Sequence, residues 1–254
     1  MTGCAIAPDA AFKRRYKASM SNTSITLVIG NKNYSSWSMR PWVLLKQLGI
    51  PFAEVLLKFH SAEWAANIER LSPSGLVPVL WDGEPGSAES ICSWDTLAIA
   101  EYIAERVPQM AVWPRDAQAR ARARSIAAEM HSGFRALRSA MPMNIRNQHP
   151  GKGYTPDVAK DIARIEKIWR DARRDFGAGD GNRTFLFGEF SAADAMFAPV
   201  VMRFNTYHPP LADDTRAYCD AVTRAPGVAA WIVDAKREAE FVAEDEPYCI
   251  APAK

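Results

Sequence analysis

Cysteine and histidine are scarce in this chain, with four of each in 254 residues. Cys4, Cys92, Cys219 and Cys249 stand far apart, and no two have C-x-x-C spacing. That excludes a disulfide scaffold and a dithiol redox motif, and it fits a reducing, cytoplasmic compartment. His60, His131, His149 and His208 show no metal-ligand spacing, so no metal is expected. An excess of one charge is also missing, because 31 basic residues meet 29 acidic ones for a formal net charge of +2. Neither nucleic acid nor a membrane surface is an expected partner of so balanced a chain. No apolar run reaches the ~18 residues needed to span a bilayer. Arg120, Arg122 and Arg124 alternate with alanine, a spacing that scatters them around a helix instead of lining up a phosphate stripe. The glycines of Gly177-Ala178-Gly179-Asp180-Gly181 lack the strand and helix that flank a phosphate loop, and read as a turn.

What is present is ordinary for a globular protein, with 48% hydrophobic and 24% charged residues. The length allows one large domain or two smaller ones. Residues 1–23 show no periodicity, and their basic stretch at 12–17 is not followed by an apolar segment. They read as a disordered extension, with Met20 as the expected natural start. From residue 24 the pattern becomes regular. Residues 24–30, 52–59, 77–81 and 87–92 read as strands. Residues 42–48, with Pro41 in the first turn, and residues 63–71 and 95–106 read as helices. The order βαβ, ββ, α predicts a small mixed α/β domain over 24–106. Residues 107–115 are a linker holding two prolines. Residues 116–254 then read as all-helical, with helices over 116–140, 155–176, 191–204, 213–223 and 227–239. Loops are expected at 141–153 and 177–184.

Three segments can carry chemistry. The first, Asn33-Tyr34-Ser35-Ser36-Trp37-Ser38-Met39-Arg40-Pro41, gathers three hydroxyls where a strand passes into a helix. Free N–H groups and the positive end of the helix dipole there would stabilise an anion such as a thiolate. Plain helix capping accounts for the same serines. The second, Ser74-Gly75-Leu76-Val77-Pro78-Val79-Leu80, puts a proline at the start of a strand. Proline donates no ladder bond, so this is either a cis Val77–Pro78 bond that frees backbone for a ligand or a trans proline at a sheet edge. The third places Asp95 and Thr96 at a strand-to-helix junction. A carboxylate and a hydroxyl beside free N–H groups would suit a ligand carrying both ammonium and carboxylate, and would equally suit a helix cap.

Taken in order and at these separations, the three segments resemble the N-terminal domain of the cytosolic glutathione transferases. The resemblance is to their bacterial, zeta-like serine type and covers about residues 24–106. It implies a thioredoxin-like fold followed by a helical C-terminal domain. Ser72-Pro73-Ser74-Gly75-Leu76-Val77-Pro78-Val79-Leu80 is similar to the family's N-P-x-G-x-V-P-x-L stretch, and Asp95-Thr96-Leu97-Ala98-Ile99-Ala100-Glu101-Tyr102 to its E-S-x-A-I-x-x-Y stretch. Phe187–Asp194 looks like the family's hydroxyl-x-x-Asp capping motif, with Ser191 and Asp194 in the two roles. Ala128–Phe134 is also similar to bacterial members. Ser35-Ser36-Trp37-Ser38 is similar to the zeta class's S-S-C-S. By that likeness Ser35 donates to the glutathione sulfur and favours its thiolate, with Ser36 as the other candidate. The likeness further implies that the Val77–Pro78 bond is cis, that the Val77 backbone pairs with the cysteinyl unit, and that Asp95 and Thr96 hold the γ-glutamyl end. Glutathione is the co-substrate, a small electrophile the second substrate, and a homodimer the expected assembly.

The chain departs from the zeta pattern at three places. Trp37 stands for the cysteine, Leu76 for a common lysine, and Thr206 for an arginine that holds substrate carboxylate in the isomerases. Arg203, about one turn earlier, and Tyr207 are candidates for the second-substrate pocket or for core packing. Two functions compete: an enzyme that conjugates, dehalogenates or isomerises a small electrophile, and a non-catalytic binding or regulatory protein with the same fold. The loop serines and Asp95-Thr96 favour the enzyme. A glutathione-dependent thiol reductase is disfavoured, because no cysteine stands at positions 35–38.

Overall fold

The computed structural model describes residues 24–177 and 184–249. The extension at 1–23, with the expected start at Met20, and most of the loop expected at 177–184 lie outside the described residues. Among the described residues there are four strands, nine α-helices and one 3-10 turn. The first half runs β1 (Ile25–Ile29), α1 (Ser36–Gln47), β2 (Ala53–Leu56), α2 (Ala62–Leu71), β3 (Val79–Asp82), β4 (Ile91–Trp94) and α3 (Thr96–Arg106). The sheet order is β2-β1-β3-β4, with β1 parallel to β2 and both other pairings antiparallel. This is the thioredoxin-like arrangement. The second half is helical: α4 (Ala117–Ser132), α5 (Arg135–Ala140), α6 (Pro156–Phe176), α7 (Ala192–Tyr207), α8 (Asp213–Arg224), α9 (Pro226–Arg237) and the 3-10 turn Ala243–Asp245.

Side-chain alternation along β1 divides the core. Ile25, Leu27 and Ile29 face one way and join a large apolar cluster with α1, α3 and the helical half. Val28 faces the other way and packs with Val55, Leu57, Ile68, Leu71, Val79 and Trp81 beneath α2. The central helix α7 is buried over nearly its whole length. A helix apolar on every side needs neighbours all round, and α1, α4 and α8 supply them.

Several boundaries differ from the sequence reading: β4 runs Ile91–Trp94 where 87–92 is expected, β2 is confined to Ala53–Leu56 where its partner β1 pairs with it, and three others have a local cause. Helix α1 begins at Ser36, six residues before Trp42, so Pro41 lies inside the helix and not in its first turn. A serine cap strong enough to start the helix early outweighs one missing backbone bond. The helix expected over 116–140 is two helices, because Phe134 adopts a left-handed conformation (φ 57°) and breaks the run after Gly133. Strand β3 begins at Val79 and not at Val77, because Pro78 has no N–H to give the ladder.

The alternating arginines are tied to the surface. Arg124 makes a two-point ion pair with Glu101 at 2.8 Å, and Arg120 donates to the carbonyls of Pro114 and Arg115. At the start of α4, Asp116 Oδ1 accepts the Ala119 N–H at 2.8 Å. Replacing Asp116 with alanine is expected to cost about 1 kcal/mol in denaturant-induced unfolding, with turnover unchanged.

Candidate functional site

A cleft of about 660 Å³ opens between the two halves. One wall is the β1–α1 corner. Gly30 follows β1, where a Cβ would fall 2.5 Å from the ring of Phe59 and force that ring to move. Its N–H donates to Ser38 Oγ at 3.1 Å. Ser35 is the N-cap of α1: its hydroxyl donates to Ser38 Oγ at 2.7 Å and accepts the Ser38 N–H at 3.3 Å. Ser36 opens the helix, and its hydroxyl has no hydrogen-bond partner among the described residues. Both serines are largely buried yet line the cleft.

Tyr34 also lines this wall, but its hydroxyl is committed elsewhere. It donates to Glu246 Oε1 at 2.6 Å, and burial together with that carboxylate pushes its pKa up to about 12. A phenol so placed is a poor activator of a thiol, which leaves the wall's chemistry to the serines.

The second wall carries Leu76 and Val77. The Val77–Pro78 peptide is cis. Neither the N–H nor the C=O of Val77 has a hydrogen-bond partner among the described residues. A free backbone edge beside a cleft can add an extended peptide in strand fashion.

Ser35, Ser36 and Val77 thus share one cleft, whereas Pro78, Asp95 and Thr96 do not line it. Pro78 is buried behind Val77. Asp95 is the N-cap of α3, held at φ 74°, and its Oδ1 accepts the Leu97 N–H at 2.9 Å. A non-glycine residue in that region stores strain, a feature that gathers at binding sites. The other carboxylate oxygen of Asp95 meets His131 Nε2 at 2.6 Å. Thr96 is buried and its hydroxyl lacks a partner among the described residues. The His131 contact has no signal in the sequence, since 36 residues separate the pair.

The third wall comes from the helical half. Ser132, Arg135, Arg138 and Ser139 reach the cleft from the α4–α5 break, and Arg203 from α7. Arg203 is 4% exposed, and it donates to the carbonyls of Met141 (2.8 Å) and Pro199 (3.1 Å). No carboxylate lies within 4.0 Å of it among the described residues. Burial, and then the charge of Arg138, push its pKa down to about 10. Arg40 lies below, stacked on Trp37 at 4.2 Å, with both terminal nitrogens unpartnered among the described residues. Burial lowers its pKa well below the usual arginine value, with Arg203 and Arg138 adding to the effect. Arg138 stacks on the same indole at 4.6 Å. Trp37, where the zeta pattern has cysteine, therefore seats two guanidinium groups. Asp245, the one acid in this lining among the described residues, is pushed up to about 6 by burial, against the pull of Arg203. The cleft's far side is cationic and short of counter-charge. Tyr207 does not reach it: its hydroxyl donates to the Pro142 carbonyl at 2.9 Å. Thr206 is likewise turned inward, donating to the Asn144 carbonyl at 2.7 Å.

His149, Glu246 and Cys249 bring donor atoms within 4.8 Å of one another, a grouping the spacing of histidines does not suggest. Both Glu246 oxygens already accept hydrogen bonds from Tyr34, Asn144 and Asn147, so the cluster is a hydrogen-bonded network as it stands. No described helix is long and apolar enough to cross a membrane.

Family models match most of the chain. Residues 34–106 match the "Glutathione S-transferase, N-terminal domain" and residues 117–233 the "Glutathione S-transferase, C-terminal domain". A probable maleylacetoacetate isomerase of Caenorhabditis elegans is 23% identical over 194 residues, covering 74% of this chain and 83% of that protein. The maleylacetoacetate isomerase of Rattus norvegicus is 27% identical over 171 residues, covering 65% and 71%. Among solved structures, a glutathione transferase homolog from Burkholderia gl BGR1, crystallised with bound glutathione, has a TM-score of 0.61 at 23% identity, covering 85% of this chain and all of that one. Glutathione transferase Omega 3C from Trametes versicolor has a TM-score of 0.62 at 17% identity, covering 93% and 94%. With both family models matched and the fold shared, the chain belongs to the glutathione S-transferase family.

Proposed function

We propose that the chain is a glutathione transferase that activates the glutathione thiol with a serine and delivers it to a small electrophile bearing an acid group. The observation that carries this reading is the sharing of one cleft by Ser35, at the N-terminus of α1, and the unpartnered backbone of Val77. Residues 24–106 take the tripeptide. Val77 pairs with its cysteinyl backbone, and the cis Pro78 behind it shapes that edge. The γ-glutamyl end would extend beyond the cleft lining to the N-terminus of α3, where Asp95 is the candidate for its ammonium and Thr96, buried as the structure stands, the candidate for its carboxylate.

Without ligand the Ser35 hydroxyl donates to Ser38 Oγ. Hydroxyl protons rotate, so on binding Ser38 donates to Ser35 Oγ instead and the Ser35 proton turns to the sulfur. A hydrogen bond to the charged form, at the positive end of a helix, lowers the thiol pKa. The thiol proton leaves to solvent. The thiolate pair forms the new bond to carbon, and a leaving group, where there is one, departs with its own pair. Residues 116–254 furnish the second-substrate side, where Arg135, Arg138 and Arg203 favour an anion.

Relatives named maleylacetoacetate isomerase add isomerisation to the reactions that begin this way, although Thr206 is buried and turned from the cleft. Retention on glutathione resin with turnover of chlorodinitrobenzene tests the proposal. Neither retention nor turnover would leave the non-catalytic reading. Replacing Arg138 with glutamine should lower kcat/KM for a carboxylate-bearing electrophile about tenfold, and change that for neutral chlorodinitrobenzene less than about threefold. Size-exclusion chromatography should give a homodimer, and a cytoplasmic location is the expectation that the family likeness supports.

A further inference from the structure

The loop before Ser35 is held from the far end of the chain. Glu238, which follows α9, takes the Lys32 N–H at 2.7 Å on one carboxylate oxygen and the Asn33 N–H at 3.0 Å on the other. The next two N–H groups, of Tyr34 and Ser35, turn back onto the Asn31 carbonyl at 3.2 and 2.7 Å. The Tyr34 ring is then held at its tip, where the hydroxyl lies 2.6 Å from Glu246 Oε1 and 3.0 Å from the Glu240 carbonyl and accepts from Arg146 Nη2 at 3.1 Å, the Glu246 bond being the shortest of the three. The second Glu246 oxygen accepts from Asn144 Nδ2 at 2.6 Å, and Asn144 in turn accepts from Asn33 Nδ2 at 3.0 Å. The N–H of Arg146 closes onto Asn33 Oδ1 at 2.8 Å. One hydrogen-bonded ring thus joins residues 31–35, 144–146 and 238–246.

Glu246 does not line the cleft, so it has no direct part in the reaction. Its side chain is nonetheless fully enclosed. Burying a carboxylate is costly unless its acceptors are filled, and a loop that needed only cover would take an apolar side chain. What the carboxylates supply, and apolar cover would not, is direction: each fixes a named donor of the loop that ends in Ser35.

We infer that Glu246, together with Glu238, is a positioning residue for thiol activation, holding Tyr34 and hence the Ser35 hydroxyl in line with the sulfur. The inference rests on the function proposed above. A shift of the Ser35 hydroxyl by about 1 Å is enough to cost a large part of the rate. The C-terminal segment becomes part of the active site without touching substrate.

The test compares Glu246→Ala, Glu246→Gln and Tyr34→Phe with the wild type. The readouts are kcat, the glutathione KM, the titration of the bound thiol followed by thiolate absorption, and amide hydrogen exchange at residues 32–36 without ligand. Glu246→Ala should lower kcat about tenfold, leave KM within about threefold, move the thiol titration upward and speed exchange at 32–36. Tyr34→Phe should shift every readout in the same direction by less. Glu246→Gln keeps an acceptor for Tyr34 and should restore most of the rate. Wild-type thiol titration and exchange in Glu246→Ala, with only its melting temperature lowered, would overturn the inference. If Glu246→Ala does not fold, Tyr34→Phe decides by the same two readouts. A wild type that leaves the glutathione thiol unshifted would sink the proposed function, and this inference with it. A wild-type thiolate indifferent to both variants sinks the inference alone.

Discussion

Replacing Ser35 with alanine should lower kcat/KM for conjugation about 100-fold while glutathione still binds. The loss follows from removing one donor aimed at a developing charge, while the other contacts proposed above, to the tripeptide's backbone and its γ-glutamyl end, are untouched. Binding therefore survives and activation does not. The bound thiol should titrate closer to the free thiol's value in the variant, since the hydrogen bond that favours the charged form is gone. Ser36→Ala is the control. Its hydroxyl has no partner among the described residues, and the proposed mechanism gives it no bond to the sulfur, so the rate should change less than about threefold. Steady-state kinetics with chlorodinitrobenzene separate the two, and a reversed order would move the assignment to Ser36.

The largest effect on folding is expected at Asp194. This side chain is wholly buried, and it gathers four donors: the N–H of Leu186 at 3.0 Å, the N–H of Ser191 at 2.9 Å, the Ser191 hydroxyl at 3.1 Å and the Tyr218 hydroxyl at 3.0 Å. Alanine leaves all four without an acceptor in a dry environment. The cost should be about 3–5 kcal/mol by denaturant titration, with a visibly lower melting temperature. The pH dependence has a definite sign. Burial raises the Asp194 pKa from 3.8 to about 6, against the pull of the four donors. Between those values the native state holds a proton that the unfolded chain has lost. The contribution of this carboxyl is therefore fully present below pH 3.8 and is lost as pH rises through about 6. Asp194→Asn does not titrate, so the stability of wild type relative to that variant should fall by about 3 kcal/mol across that window. Stability curves for the two proteins at several pH values check it.

The parts of this molecule that local chemistry decides can be read in the chain. A short β-branched run closed by glycine marks β1, the serines mark the start of a helix, and Ser191 with Asp194 marks a buried cap. The helix start reads late because Pro41 looks like a first-turn residue, whereas Ser35 already caps the helix. The break at Phe134 does not show, because left-handed backbone at a phenylalanine has no signature in composition. The cationic wall is hidden for a different reason. Arg135 and Arg138 lie in the helix that follows that break, Arg203 comes from the distant α7, and only the packed structure brings the three to the cleft beside Trp37. The bond between Tyr34 and Glu246 spans 212 residues, and His131 meets Asp95 across 36. Contacts of that range depend on topology, which no spacing rule encodes.

Activation of a thiol by the Ser35 hydroxyl is decided by a crystal structure with glutathione bound. The sulfur should lie within about 3.5 Å of Ser35 Oγ, with the cysteinyl N–H and C=O paired to Val77. An empty cleft in crystals soaked with the tripeptide, or a sulfur turned away from Ser35, would contradict it.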